Sequence, residues 1–295
     1  MNTKLSLRNF QRKYGTNDQC LEAIKKLRFP DEMECLKCKR MSVFYHINGR
    51  TAYNCKFCNY QIYPLAGTIF EKTTTPLQYW FFAMYLMTQT RSGTSAKQLE
   101  RMLGVTYKTA WRMFKQIRML MAQEPSLLHG TVEIDETFMG GKGKNRAFKP
   151  NFNEIPKEVV MGIVKRGGTA YFKHVENIGK WTLLEQVKLN VDPTAHIMTD
   201  EYRGYTNLPK FGFPTHDTVN HSASNYVTGN IHTNTVEGFW SILKRGVYGV
   251  YRVISKKYLQ TYVDEYAFRY NHRKDGFMFD ILLNQVANIR LLKLA

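Results

Sequence analysis

Three acidic residues, Asp135, Asp200 and Glu237, stand in that order along a chain of 295 residues. The first two end apolar strand-like runs, Thr131-Val-Glu-Ile-Asp135 and His196-Ile-Met-Thr-Asp200. The third lies one turn into a predicted helix, Thr235 to Lys244. Carboxylates so placed suit two divalent ions, because hard Mg²⁺ or Mn²⁺ takes oxygen ligands. Two such ions a few ångströms apart activate a nucleophile and stabilise a leaving oxygen in phosphodiester chemistry. Lys244 follows Glu237 by seven residues, two helical turns, and so shares its face, where it can hold a phosphate. Asn234 offers a metal ligand, a helix cap or both. His221 and His232 are polar neighbours to which no catalytic role is given.

Each acid also has a purely structural reading. Asp135 can be a strand-end turn residue, with Glu133 or Glu136 as ligand in its place. Asp200, before Glu201 and Tyr202, can cap a short helix. Glu237 follows Asn234 by three, the spacing of a capping box. The ordered trio, placed on one scaffold, is what favours catalysis.

A second constellation is made of thiols. Cys35-Leu-Lys-Cys38 and Cys55-Lys-Phe-Cys58 are two CxxC knuckles separated by sixteen residues. That spacing forms a tetrahedral site for structural Zn²⁺, with four protein ligands and no open position. Ser42 to His46 and Thr51 to Asn54 are expected to pair across the Asn48-Gly49-Arg50 turn. Cys20, the fifth cysteine, reads as a small buried hydrophobe.

The elements between these groups must position them. A helix is expected from Pro76 to Gln89, another from a cap at Thr94 or Ser95 to Leu103, and a third from Tyr107 to about Met121. The last two form a helix-turn-helix about Gly104, packed through Leu99, Leu103, Val105, Ala110, Trp111 and Phe114. Lys108, Arg112, Lys115 and Arg118 follow four- and three-residue steps and are read as one basic face, suited to the DNA major groove.

Beyond Glu124-Pro125-Ser126, the strand at Thr131 is expected to end at Glu136 to Gly141. A basic loop covers 140–153, and a hairpin joins Val159–Lys165 to Thr169–Val175. A helix follows at Trp181–Lys188, then strands at His196–Asp200 and Thr218–His221, and a long helix at Lys256–Asn271. This order gives an α/β class, a mixed sheet flanked by helices, and matches a ribonuclease H-like core.

The formal net charge is +18, from 42 Lys+Arg against 24 Asp+Glu. An excess spread along the whole chain favours a polyanionic partner. No apolar run reaches membrane-spanning length, and the N-terminus has no apolar signal segment. The expected setting is cytoplasmic, nucleoid-associated when bound to DNA.

The strings Asp135-Glu-Thr-Phe-Met-Gly-Gly, Thr199-Asp200-Glu, Val219-Asn-His221 and His232-Thr-Asn-Thr-Val-Glu-Gly-Phe-Trp-Ser-Ile-Leu-Lys-Arg resemble insertion-sequence transposases with a zinc ribbon and a DDE-type domain. Ala66-Gly-Thr-Ile-Phe and Tyr107-Lys-Thr-Ala-Trp-Arg-Met match as well, and the eukaryotic Merlin elements are similar. The resemblance spans roughly residues 20 to 275. It implies metal-dependent cleavage and strand transfer at terminal inverted repeats, with double-stranded repeat and target DNA as partners. It implies Asp135 and Asp200 as ligands and Lys244 as an accessory residue. Members carry Glu or Asn as third ligand. Glu237 is favoured over Asn234 because an amide neutralises no metal charge. Two ends must be paired, so a homo-oligomer is expected on DNA. The rival readings are a domesticated DNA-binding derivative and a ribonuclease H-like nuclease without strand transfer. The expected organisation is an N-terminal helical segment (1–30), a zinc ribbon (31–66), a helix-turn-helix region (67–125), the catalytic domain (128–278) and a C-terminal segment (279–295) with a closing helix at Phe279–Leu292.

Overall fold

The structure is a computed structural model that describes residues 5–140, 157–219 and 232–288. It forms two compact units. The basic loop expected at 140–153 lies outside the described residues except for Gly140, as does His221.

The first unit opens with helices α1 (Leu7–Tyr14) and α2 (Asn17–Arg28). Thr16 starts α2 through a reciprocal capping box with Gln19. Strands β1 (Glu32–Glu34), β2 (Met41–His46), β3 (Tyr53–Cys55) and β4 (Gln61–Ile62) then form an antiparallel sheet in chain order. The Asn-Gly turn closes β2 on β3, with Gly49 at φ +74° and Phe44 opposite Cys55. Helix α3 (Leu77–Gln89) is apolar nearly all round, which predicts a buried helix. Trp80, Phe81, Ala83, Met84 and Met87 are accordingly 0% exposed.

Helices α4 (Ala96–Leu103) and α5 (Tyr107–Met119) complete the helix-turn-helix. Gly104 takes φ +66° at the turn, and the Thr106 hydroxyl accepts the Thr109 N–H to cap α5. This unit also contains a helix from the chain's end, Met278–Asn288. Its Phe279 packs edge-on to Phe10 at 5.7 Å.

The second unit is a five-stranded sheet. Strands β5 (Thr131–Met139), β6 (Glu158–Lys165) and β7 (Ala170–Val175) form an antiparallel meander. Helix α6 (Lys180–Asn190) crosses over to β8 (His196–Asp200), parallel to β5, and β9 (His216–Val219) adds parallel to β8. The spatial order is β7-β6-β5-β8-β9, so β5 is central. Helices α7 (Asn234–Gly246) and α8 (Lys256–Asn271) follow, and the Met278–Asn288 helix of the first unit is α9. A mixed sheet with helices on both faces is the ribonuclease H-like arrangement.

Strand β5 is longer than its apolar run. Glu136 to Met139, expected to end it, stay in register with Met161 to Glu158. The strand's side chains alternate between two cores. Val132 and Ile134 face α6 with Leu183 and Val187. Met139 joins the other core, with Phe239, Trp240 and Leu243 of α7. Glu133 and Asp135 share that second parity, and this alternation places acids against α7.

Candidate functional site

The four thiols converge as the spacing requires. Cys35, Cys38, Cys55 and Cys58 bring their sulfurs within 4.8 Å of one another. The Cys35–Cys58 and Cys38–Cys55 separations are 3.5 and 3.9 Å. A tetrahedron with Zn–S bonds of about 2.3 Å has an edge of about 3.8 Å, so the cage fits zinc.

Each knuckle is built the same way. Lys39 and Asn59, following the second cysteine, take positive φ of 59° and 56°. Their N–H groups donate to the carbonyls of Cys35 and Cys55 at 2.8 and 3.1 Å. Burial raises the Cys55 thiol, but the Ser42 hydroxyl and the N–H groups of Phe57 and Cys58 outweigh it and hold it at about 6. The Tyr60 N–H draws Cys58 down, yet burial and the three neighbouring sulfurs push it up to about 11. Crowded sulfurs of this kind are what a structural cation relieves.

The second constellation is a cleft of about 510 Å³ lined by Asp135, Glu136, Asp200, Glu237, Trp240 and Lys244, among others. Asp135 arrives from the centre of the sheet and Asp200 from the last position of β8. Their parallel register pairs Val132 with Ile197 and Glu133 with Met198. Continued by two residues, it sets Asp200, the last residue of β8, beside Asp135 in the middle of β5, so the expected strand end at Asp135 is not one. Glu237, Trp240, Ser241 and Lys244 line the cleft at three- and four-residue steps, one stripe of α7.

Each acid of the trio has one oxygen held by a protein donor. The Trp240 indole N–H donates to Asp135 Oδ2 at 2.8 Å. The Tyr202 N–H donates to Asp200 Oδ1 at 3.0 Å, and the Thr233 hydroxyl to Glu237 Oε1 at 3.0 Å. Asp200 makes this local turn bond and still lines the cleft; it is not the cap of the short helix Arg203–Tyr205, whose N-cap position is held by Tyr202. Burial raises the Asp135 carboxyl to about 6, aided by the charges of Asp200 and Glu237 and opposed by the Trp240 bond. Burial, with the charges of Asp135 and Asp200, pushes Glu136 to about 9. Oxygen Oε1 of Glu136 is buried with no hydrogen-bond partner. This acidic field is chemically suited to divalent cations. Among the described residues, the thiols alone gather three or more metal-binding side chains within 4.8 Å of one another. The carboxylates line one cleft at wider spacing.

Several expected roles change in three dimensions. Asn234, the first residue of α7, is exposed and is not among the residues lining the cleft. It is not the cap either: Thr233 holds the N-cap position, so the Asn234–Glu237 capping box does not form. Glu133 is no alternative ligand, because its carboxylate is spent on α7. Its oxygens accept the Thr235 N–H at 2.7 Å and Arg166 Nε at 2.6 Å. Trp240, Thr233 and the Tyr202 N–H carry no sequence signal of contact with the acids beyond their nearness in the chain to Glu237 and Asp200.

The basic face of α5 is narrower than expected. Lys108 and Arg112 are exposed and Lys115 is half-buried. Arg118 is a correction: it is 3% exposed, with its guanidinium 5.8 Å from the Phe114 ring. At about 100° per residue, Arg118 lies about 40° round the helix from Phe114 but about 80° from Lys108. It therefore falls on the packed face.

A zinc ribbon in one chain with a ribonuclease H-like domain, its acids lining one cleft from β5, β8 and α7, is the build of a transposase. Residues 127–271 match the ISXO2-like transposase domain, and residues 15–61 match the transposase zinc-ribbon domain, both of the IS1595 type. The chain belongs to that IS1595 family. It is 28% identical over 264 residues to an uncharacterised protein in the transposable element ISH50 of Halobacterium salinarum, covering 83% of this chain and 88% of that one. An uncharacterised transposase-like protein of Haemophilus influenzae is 28% identical over 108 residues, covering 37% of this chain and 85% of its own. A chain of the simian T-cell lymphotropic virus intasome in complex with PP2A regulatory subunit B56 gamma aligns at TM-score 0.30 and 10% identity, covering 64% of this chain and 65% of that one. Among the described residues no helix is long and apolar enough to cross a membrane.

Proposed function

We propose that the protein cleaves DNA at the terminal inverted repeats of its insertion sequence and joins the freed 3′ ends to target DNA. The observation that carries this reading is the single cleft holding Asp135, Asp200 and Glu237 on β5, β8 and α7, with Lys244 on the Glu237 stripe. Asp135, Asp200 and Glu237 would hold two Mg²⁺ or Mn²⁺ ions. When bound, such ions polarise the scissile phosphate and stabilise charge on the entering and leaving oxygens.

The chain's own groups do the rest. The Trp240, Tyr202 and Thr233 donors fix one oxygen of each carboxylate and leave the cleft's acids oriented before DNA arrives. Lys244 neutralises a DNA phosphate beside them. Each step exchanges one P–O bond for another, so no redox partner is needed. The ribbon and the exposed Lys108 and Arg112 of α5 engage the repeat, and two copies act on paired ends.

The test is cleavage and joining by the full-length protein. Its substrate is a labelled duplex from the ends of its own element, with Mg²⁺ or EDTA, beside Asp135→Asn and Asp200→Asn. Metal-dependent nicking at the repeat end with joined product is expected, abolished in both variants while end binding is kept. Tight end binding with no cut in Mg²⁺ or Mn²⁺ would favour a domesticated DNA-binding protein. Cutting without joining would favour a nuclease.

A further inference from the structure

Glu133 is a fully buried carboxylate, two residues before Asp135 on the same face of β5. Its Oε2 accepts the N–H groups of Thr235 and Val236 at 2.7 and 3.1 Å. Its Oε1 accepts the Thr235 hydroxyl at 2.8 Å and Arg166 Nε at 2.6 Å. Arg166 also donates to the His232 carbonyl at 2.7 Å, which ties down the residue just before the N-cap. His232 Nδ1 lies 3.3 Å from Glu133 Oε1.

These contacts amount to an N-terminal cap supplied from a strand about a hundred residues away in the chain. The residue at the N-cap, Thr233, makes no cap bond, and its hydroxyl goes to Glu237 instead. A local Ser or Asp would cap a helix with far less burial of charge. Buried ion pairs are weak sources of stability, and apolar replacements often serve as well. What a charge here does provide is a fixed position. It meets the positive end of the helix dipole and holds the first turn of α7 to one point on β5. Glu237 projects from that turn, and Asp135 lies two residues along that strand.

We propose that Glu133 is a positioning residue of the cleft. By clamping the start of α7 to β5, with Arg166 as counter-ion, it sets the separation of Asp135 and Glu237 and so the affinity for divalent cations. This rests on the reading of the cleft given under Proposed function. Supporting groups behind metal ligands typically change metal affinity or activity by about 10–100-fold when removed.

The experiment compares full-length wild type with Glu133→Gln, which keeps shape and loses charge. Mg²⁺ binding is measured by calorimetry and cleavage of the terminal-repeat duplex across a Mg²⁺ titration. End binding and zinc content serve as checks on the fold. The expected result is end binding within about twofold of wild type, with roughly 10–100-fold weaker Mg²⁺ dependence of cleavage. The calorimetric affinity should fall in parallel. If Glu133→Gln does not fold, Thr235→Val removes only the hydroxyl bond and is expected to shift the same midpoint by a smaller factor.

A variant that melts earlier but keeps the wild-type Mg²⁺ midpoint and rate would overturn the positioning role and leave the function standing. A wild-type protein that neither binds Mg²⁺ nor cuts would overturn both.

Discussion

Gly162 lies directly opposite Asp135 in the β5–β6 register, beneath the Trp240 indole. A Cβ there would stand 2.8 Å from Trp240 Cζ2, 2.9 Å from Trp240 Cη2 and 2.9 Å from Phe172 Cε1. Carbon pairs rest at about 3.5–4.0 Å, so Gly162→Ala requires the rings to move by about 0.7 Å or more. Phe172 cannot retreat, because it stacks on Phe239 at 3.5 Å. Trp240 must therefore shift, and its bond to Asp135 starts at 2.8 Å. A displacement of about 0.7 Å carries that pair to the limit of hydrogen bonding.

The overpacking costs about 1–3 kcal/mol. Loss of a bond to a charged group adds about 1.5–3 kcal/mol. For a unit of this size, a sum of about 2.5–6 kcal/mol lowers the melting temperature by roughly 5–25 °C. The assay is thermal unfolding followed by tryptophan fluorescence, beside terminal-repeat cleavage at a temperature where the variant is folded. Cleavage should fall because Asp135 loses its orienting donor. Gly238→Ala is the control. It lies next to Glu237 on α7, yet its Cβ meets nothing within 4 Å. It should stabilise by up to about 1 kcal/mol, the helix preference for Ala over Gly. Wild-type melting and wild-type cleavage in Gly162→Ala would refute the packing argument.

Three further outcomes are expected. Cys55→Ser should release zinc and unfold the ribbon, read by metal content, and retention of one zinc per chain would remove the four-thiolate site. Lys108→Ala and Arg112→Ala should each weaken end binding and flatten its salt dependence by about one phosphate contact, whereas Arg118→Ala should lower the melting temperature and leave the salt slope unchanged. Burial raises the carboxyl of Asp264, although Gln123 and Gln260 donate to its Oδ1 at 2.8 and 2.7 Å. An acid raised in the fold contributes stability below its unfolded pKa and loses it as pH climbs through the folded value. Asp264→Asn keeps the acceptor and removes the charge, so it should melt higher than wild type at pH 8 and lose that advantage towards pH 4.

Much of this protein is readable one stretch at a time. The two CxxC knuckles, the Asn-Gly turn, the Thr106 cap, strand β8 and helix α8 depend on residues a few positions apart. Side-chain type and backbone preference act over that same range, so the strings alone define them. The order of the three acids on strand, strand and helix is equally a property of the string.

Other features depend on partners that the local pattern does not contain. Glu136 to Met139 stay in β5 because β6 supplies their hydrogen bonds. Arg118 is buried because its turn of α5 meets the core, although its charge fits the step pattern of the exposed cations. Glu133 and Asp135 look alike in the sequence, two acids on one face of one strand. Only the packing of α7 makes the first a buried cap and leaves the second in the cleft. The same helix placement brings Glu237, and not Asn234, to line the cleft beside Asp135 and Asp200. The sequence by itself therefore determined the kinds of ligand, their order and the local elements that bear them. Which carboxylates meet was decided by strand register and helix docking, because those are set by burial and hydrogen bonding between segments 65 residues apart for β5 and β8 and 102 apart for β5 and α7.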